Sequence, residues 1–168
     1  MSVIYLIGSL RNPEIPKIAA KIREAGFEVF DDWFAAGPIA DDSWQEYEKQ
    51  KGIPYDEALK GYAAQHVFDF DLYHLNRSAA AVLVLPAGKS GHLELGYMRG
   101  QNKKCFMLFD KEPERWDVMV KFADGGVYFD TDKLIGGLNA HLRNREISDS
   151  TFQDLHYLCG TKGGHRVL

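Results

Sequence analysis

The sequence predicts an open parallel α/β sheet of about five strands with helices on both faces. Three observations carry that prediction. Short apolar runs recur at Val3 to Ile7 and Ala79 to Leu85, with a further strand expected at Lys103 to Phe109, as for strands buried on both sides. After the first two of these, glycine or proline ends the run and apolar residues resume at helical spacing. Strands and helices therefore alternate along the chain, the order that builds a parallel sheet with crossover helices.

Taken in order, Val3 to Ile7 reads as a central strand ended by Gly8. Ile15, Ile18, Ala19 and Ile22 lie at helical spacing within Pro13 to Ala25, and Gly26 is a stop signal, so a helix is expected there. Phe27 to Phe30 is the next strand, which completes a βαβ unit with a right-handed crossover. Asp31 to Lys60 mixes acids, aromatics, Gly and Pro, and is expected to be a long loop followed by broken helices, an insertion of the kind that often carries function. Tyr62 to Arg77 returns to helical spacing, and Ala79 to Leu85 is the third strand. Ser90 is expected to cap a helix running to about Gln101. Lys103 to Phe109 is a strand, Trp116 to Phe122 a short helix, Val127 to Phe129 a short strand and Lys133 to Arg145 a final helix. Residues 1–146 are read as one catalytic domain, with 147–168 as a C-terminal tail available for an oligomer contact.

Composition narrows the function. The 168 residues are 45% hydrophobic and carry a formal charge of −4, which argues against a surface built to bind a nucleic-acid polymer. No apolar run approaches the roughly 20 residues that cross a bilayer, and the first ten residues lack a basic leader and cleavage site. A cytoplasmic protein without membrane association is expected. Cys105 and Cys159, far apart and without metal-ligand spacing, read as ordinary thiols and not as a disulfide or zinc site.

Two loops leaving the C-terminal ends of the first and third strands carry the chemistry, and in an open parallel sheet ligands bind in the crevice between such loops. The first is Gly8-Ser9-Leu10-Arg11-Asn12. Gly8 permits a tight turn, backbone amides at a helix start attract an anion, Ser9 adds a hydroxyl and Arg11 can grip a phosphate with two bonds. A plain turn with a capping serine and a solvated arginine fits the same residues. Neither a P-loop nor a dinucleotide fingerprint is present. The second loop runs from Pro86 to Tyr97. In it Ser90 and Glu94, four residues apart, share a helix face, so a carboxylate stands one turn from an anion site. Simple compensation of the helix dipole is the plainer reading. Gly91 and Gly96 on either side of Glu94 suggest a close approach to that helix. Asp69 reads as a helix cap. Asp71, if it faces the crevice, joins Glu94 in the two-carboxylate set that glycoside chemistry needs.

The motifs YLIGSLR (Tyr5 to Arg11), DLYHLNRSAAAVLVLP from Asp71, and GKSGHLELGY (Gly88 to Tyr97) resemble those of the nucleoside 2-deoxyribosyltransferase superfamily, which includes the deoxynucleoside 5′-monophosphate N-glycosidases and related nucleotide hydrolases. The resemblance spans roughly residues 3 to 110 and implies a flavodoxin/Rossmann-like fold. It implies that Glu94 attacks the anomeric carbon with net retention, that Asp71 assists the leaving base and contacts the sugar, and that Tyr5 lies near both. Gly8, Ser9, Arg11 and Ser90 then match backbone and hydroxyl groups around the substrate's 5′ end. Leu10, Gly88 and Gly91 are read with them as substrate- or phosphate-binding. So is His92, which lies beside Ser90 where it could reach a phosphate or the base but could equally be an exposed loop histidine. The family commonly builds its sites at subunit interfaces, which implies a homodimer or larger assembly. No metal or other cofactor is implied. Gly88 stands where the transferase branch often carries an Asp, which tilts the reading toward cleavage of a nucleotide by water, and Ala80 replaces another Asp of the family pattern.

Trp33 and Phe34, after Asp31-Asp32, are placed where a nucleobase could stack, although aromatics that anchor a loop fit equally. Trp44 and Tyr47 are read as helix packing and Cys105 as core. His66, His74, His141, His156 and His165 have no ligand spacing. The expected substrate is a small nucleoside or nucleotide. Transfer to a second base, hydrolysis, and hydrolysis of an NAD-like dinucleotide remain open, as does a nucleotide-binding sensor without catalysis.

Overall fold

In a computed structural model that describes residues 3–143, five parallel strands form one sheet in the order β2-β1-β3-β4-β5. They are β1 (Val3–Ile7), β2 (Glu28–Phe30), β3 (Ala80–Val84), β4 (Lys104–Leu108) and β5 (Gly126–Tyr128). The parallel α/β sheet expected from the sequence is the observed one, in the flavodoxin-like order, with its topological switch point between β1 and β3. Those two strands pair directly, Tyr5 beside Ala81 and Ile7 beside Leu83. The tail at 147–168, Cys159 and the end of the final predicted helix lie outside the described residues.

Alternation along the strands divides the core in two. Ile4, Leu6, Val82, Val84, Phe106 and Leu108 face α1 (Ile15–Glu24) and α6 (Thr131–Leu138). Tyr5, Ile7, Leu83, Cys105 and Met107 face the opposite side, where Leu75 of α4 (Tyr62–Arg77) and Leu95 and Met98 of α5 (Lys89–Gly100) cover them. Helices on both faces explain why the central strands read as unbroken apolar runs.

The insertion between β2 and α4 holds a 3-10 turn at Asp32–Ala36, then α2 (Ala40–Gln50) and the four-residue α3 (Tyr55–Ala58), matching the expected loop with broken helices. Several local expectations change. Helix α1 begins at Ile15, because Asn12 to Glu14 form a turn in which the Asn12 side chain accepts from the Glu14 amide at 3.0 Å. Asp69 does not cap a helix; it lies inside α4, where it accepts a bond from Gln65 at 2.7 Å. Ser90 does not cap α5, since the chain is extended at Gly88 and already helical at Lys89, which makes Gly88 the cap residue. Tyr47 is exposed instead of packed, whereas Trp44 is half-buried. Trp116 to Phe122 contracts to a 3-10 turn at Val118–Phe122, capped by Asp117. Beyond α6 the chain continues as a π-helical turn at Asn139–Arg143.

Candidate active site

Tyr5, Asp71 and Glu94 come from three elements on one side of the sheet. Tyr5 sits mid-strand in β1, almost wholly buried, with its ring against Phe30 at a centroid distance of 5.1 Å. Its hydroxyl donates to Asp71 Oδ1 at 3.1 Å, which ties β1 to the middle of α4. Glu94 lies in the second turn of α5, on a helix drawn tightly onto the sheet at Gly91. A Cβ at position 91 would meet Ile7 Cγ2 and Leu83 Cδ1 at 3.1 Å, so glycine here permits the close approach that the sequence suggested. Gly96 has no such role, because a Cβ there would meet open space.

Burial perturbs all three groups. The Glu94 carboxyl is pushed up to about 8, chiefly by burial and further by the negative charge of Asp71. Burial also raises Asp71, and Asp41 adds to the rise, while the Tyr5 hydroxyl bond opposes it. Burial, then the charges of Glu94 and Asp71, keep Tyr5 protonated, so it is a fixed donor. At neutral pH Glu94 therefore holds a proton beside the negative charge of Asp71.

The crevice between the first and third strand loops contains a pocket of about 310 Å³, lined by Ser9, Arg11, Asn12 and Pro13 on one side and by Pro86 and Ala87 on the other. Tyr5, Asp71 and Glu94 are not among those lining residues. Amides at the start of α1 are largely engaged: Arg11 donates to Ser9 Oγ at 3.2 Å, Asn12 to Ser9 O at 2.9 Å and Ile15 to Asn12 O at 3.3 Å. Pro13 and Pro16 have no amide proton to offer. At the start of α5, by contrast, no side chain among the described residues caps the first amides, so Lys89, Ser90 and Gly91 present the outward-facing donors of a helix N-terminus. Ser90 and Gly88 are exposed there, and His92 turns back, its Nδ1 lying 2.9 Å from Gly88 O. Leu10 is half-buried in the first loop, and Gly8 packs against Ile15.

Trp33 donates its indole N–H to Leu6 O at 2.8 Å and packs against the core beneath Gly8. Phe34 meets it edge-on at 5.9 Å. Trp33 thereby anchors the insertion to the end of β1 through its N–H. Sequence reasoning missed Asp42, in the first turn of α2, which accepts from Arg11 at 2.8 Å. The adjacent acids Asp41-Asp42 were the available signal, but a separation of 31 residues through irregular chain leaves no periodicity to follow. It also missed the stack of His74 on Phe30, with centroids 3.7 Å apart, which braces the ring that supports Tyr5. Among the described residues no group of three His, Cys, Asp or Glu is placed to hold a metal ion, and no helix is long and apolar enough to cross a membrane.

The chain has a flavodoxin-like parallel sheet, with Asp71 and Glu94 on helices that pack on one side of it. No protein-family model matches the chain, and no curated protein matches it in sequence. In structure it is similar to a 2-deoxyribosyltransferase from the psychrotolerant bacterium Bacillus psychrosaccharolyticus, with a TM-score of 0.54 and 18% identity over 80% of this chain and 90% of that one. The likeness is one of fold.

Proposed function

We propose that the protein is an enzyme that breaks, or exchanges across, the N-glycosidic bond of a small nucleoside or nucleotide by a retaining double displacement at Glu94. The observation that carries this reading is the Tyr5–Asp71–Glu94 cluster, with its proton-bearing Glu94 and its Asp71 fixed by a tyrosine hydroxyl. In the first step the proton held by the carboxyl pair leaves with the base. The C1′–N bond breaks and the Glu94 carboxylate bonds to C1′. Asp71 passes the proton, and Tyr5 holds Asp71 in place. Water or a second base then attacks C1′ from the face that the first base left, which returns a proton to the pair and restores Glu94. Ser9, Arg11 and the amides at the start of α5 are suited to the 5′ end of the substrate, and Trp33 and Phe34 flank the insertion side.

A homodimer or larger assembly is part of the proposal. Helix α4 buries only Leu75, and Val67, Phe68, Tyr73 and, on α5, Leu93 remain exposed. A second copy of the chain packed against α4 and α5 would bury part of this apolar surface beside Asp71 and Glu94. Sedimentation of the wild type, expected to show a dimer or larger species, and of Leu93→Glu, expected to shift toward monomer, tests this.

The catalytic proposal is tested by chromatography of free base released from a panel of ribo- and deoxyribonucleosides and their 5′-monophosphates. Glu94→Gln should abolish release in a folded protein and Asp71→Asn should slow it; full activity of Glu94→Gln would overturn the proposal. Adding a second base separates the two outcomes of the reaction, because a new nucleoside forms only by transfer.

A further inference from the structure

Arg11 is the guanidinium lining the pocket between the first and third strand loops, and it is occupied by a single bond to Asp42 Oδ2 at 2.8 Å. The two side chains are 56% and 63% exposed, so the pair is a weak, water-screened one that a better ligand can displace. A phosphate offers a planar guanidinium two parallel bonds, more than one exposed carboxylate supplies. Asp41, the preceding residue, adds negative charge felt by Arg11 on one side and Asp71 on the other. The acidic start of α2 thus bears on both the guanidinium that lines the pocket and on Asp71. With the amides of α1 largely engaged, Arg11 is the main cationic handle on its side of the pocket, and its availability decides how well an anion is held there.

We propose that Asp42 is a specificity-determining residue: by occupying Arg11 it sets how strongly the pocket prefers a phosphorylated 5′ end over a free hydroxyl. The proposal deepens the glycosidase reading above and rests on it for the identity of the substrate. A phosphate entering the pocket must take Arg11 from Asp42 and approach a second carboxylate at Asp41. A free hydroxyl meets neither cost. The insertion that carries α2 therefore controls discrimination at a site whose other walls belong to the sheet loops.

The test measures binding of inorganic phosphate, a nucleoside and its 5′-monophosphate to the wild type, Asp42→Asn, Arg11→Gln and the double variant by calorimetry. Circular dichroism checks that each is folded, and Asp42→Ser serves as the second variant. Releasing a weak exposed pair and one neighbouring charge should tighten phosphate and monophosphate binding about three- to tenfold relative to the nucleoside in Asp42→Asn. Arg11→Gln should remove that gain, so the double variant should bind phosphate no better than Arg11→Gln alone. An equal change for nucleoside and monophosphate, a gain that survives in the Arg11→Gln background, or no detectable phosphate binding by any variant would overturn the proposal. Because inorganic phosphate contains no glycosidic bond, a phosphate gain in a protein that releases no base would reject the glycosidase reading and leave the role of Asp42 intact.

Discussion

Replacing Glu94 by glutamine should change how stability depends on pH. Burial and Asp71 lift the Glu94 carboxyl from its ordinary 4.5 to about 8, so between those values the folded chain holds a proton that the unfolded chain has released. Stability contributed by this proton is complete below about pH 4.5 and is lost as pH rises through about 8. At about 1.36 kcal/mol per pH unit the ceiling on that loss is about 5 kcal/mol. Water reaches the half-buried carboxyl, which reduces the expected loss to about 2–3 kcal/mol. Glutamine keeps the shape and cannot ionise, so Glu94→Gln should equal the wild type near pH 5 and exceed it by about 2–3 kcal/mol near pH 9. Urea denaturation at intervals from pH 5 to 9, with the slope m checked for constancy, measures the difference. A difference that stays flat across the range would mean that Glu94 is ionised and solvated throughout, and the proton-bearing nucleophile would have to be abandoned.

The remaining expectations concern the same cluster. Base release should be bell-shaped in pH, falling above about 8 as the carboxyl pair loses its last proton; a rate that keeps climbing past pH 9 would show that this proton is not used. Tyr5→Phe removes the bond that opposes the rise of Asp71, so it should move the acid limb of that profile upward and cost about 1 kcal/mol in urea denaturation; an unmoved acid limb would detach Tyr5 from Asp71. Gly91→Ala introduces a Cβ 3.1 Å from Ile7 and Leu83. It should destabilise the fold by about 1–3 kcal/mol and lower kcat by displacing Glu94; wild-type stability and turnover would mean that α5 has room to spare.

The parallel sheet was legible because both faces of its central strands are covered, which leaves contiguous runs such as Ala80–Val84 with every residue buried. The close packing of α5 at Gly91 was legible because glycine against a strand has a steric meaning that one sequence can reveal. Asp69 and Ser90 were misread for a shared reason: both residue types favour helix ends, yet α4 runs uninterrupted through Asp69 and α5 starts ahead of Ser90. Helix capping is decided by where the backbone turns, and at Gly88 no side-chain signal marks that point. Gly96 carried the same residue type as Gly91 but lies on the outer side of its helix, a difference of phase visible only once the helix is docked. The Arg11–Asp42 pair was beyond reach because long-range pairing of exposed charges leaves no pattern along the chain.

Asp71 and Glu94 stand on helices packed against the sheet, whereas Asp42, the partner of Arg11, stands on a helix of the insertion between β2 and α4. Changing the charge of α2 would then retune ligand choice, and through Asp41 the acidity of Asp71 with it, while Trp33 keeps the insertion fastened to β1. That makes the exposed first turn of α2 the natural target for redesign.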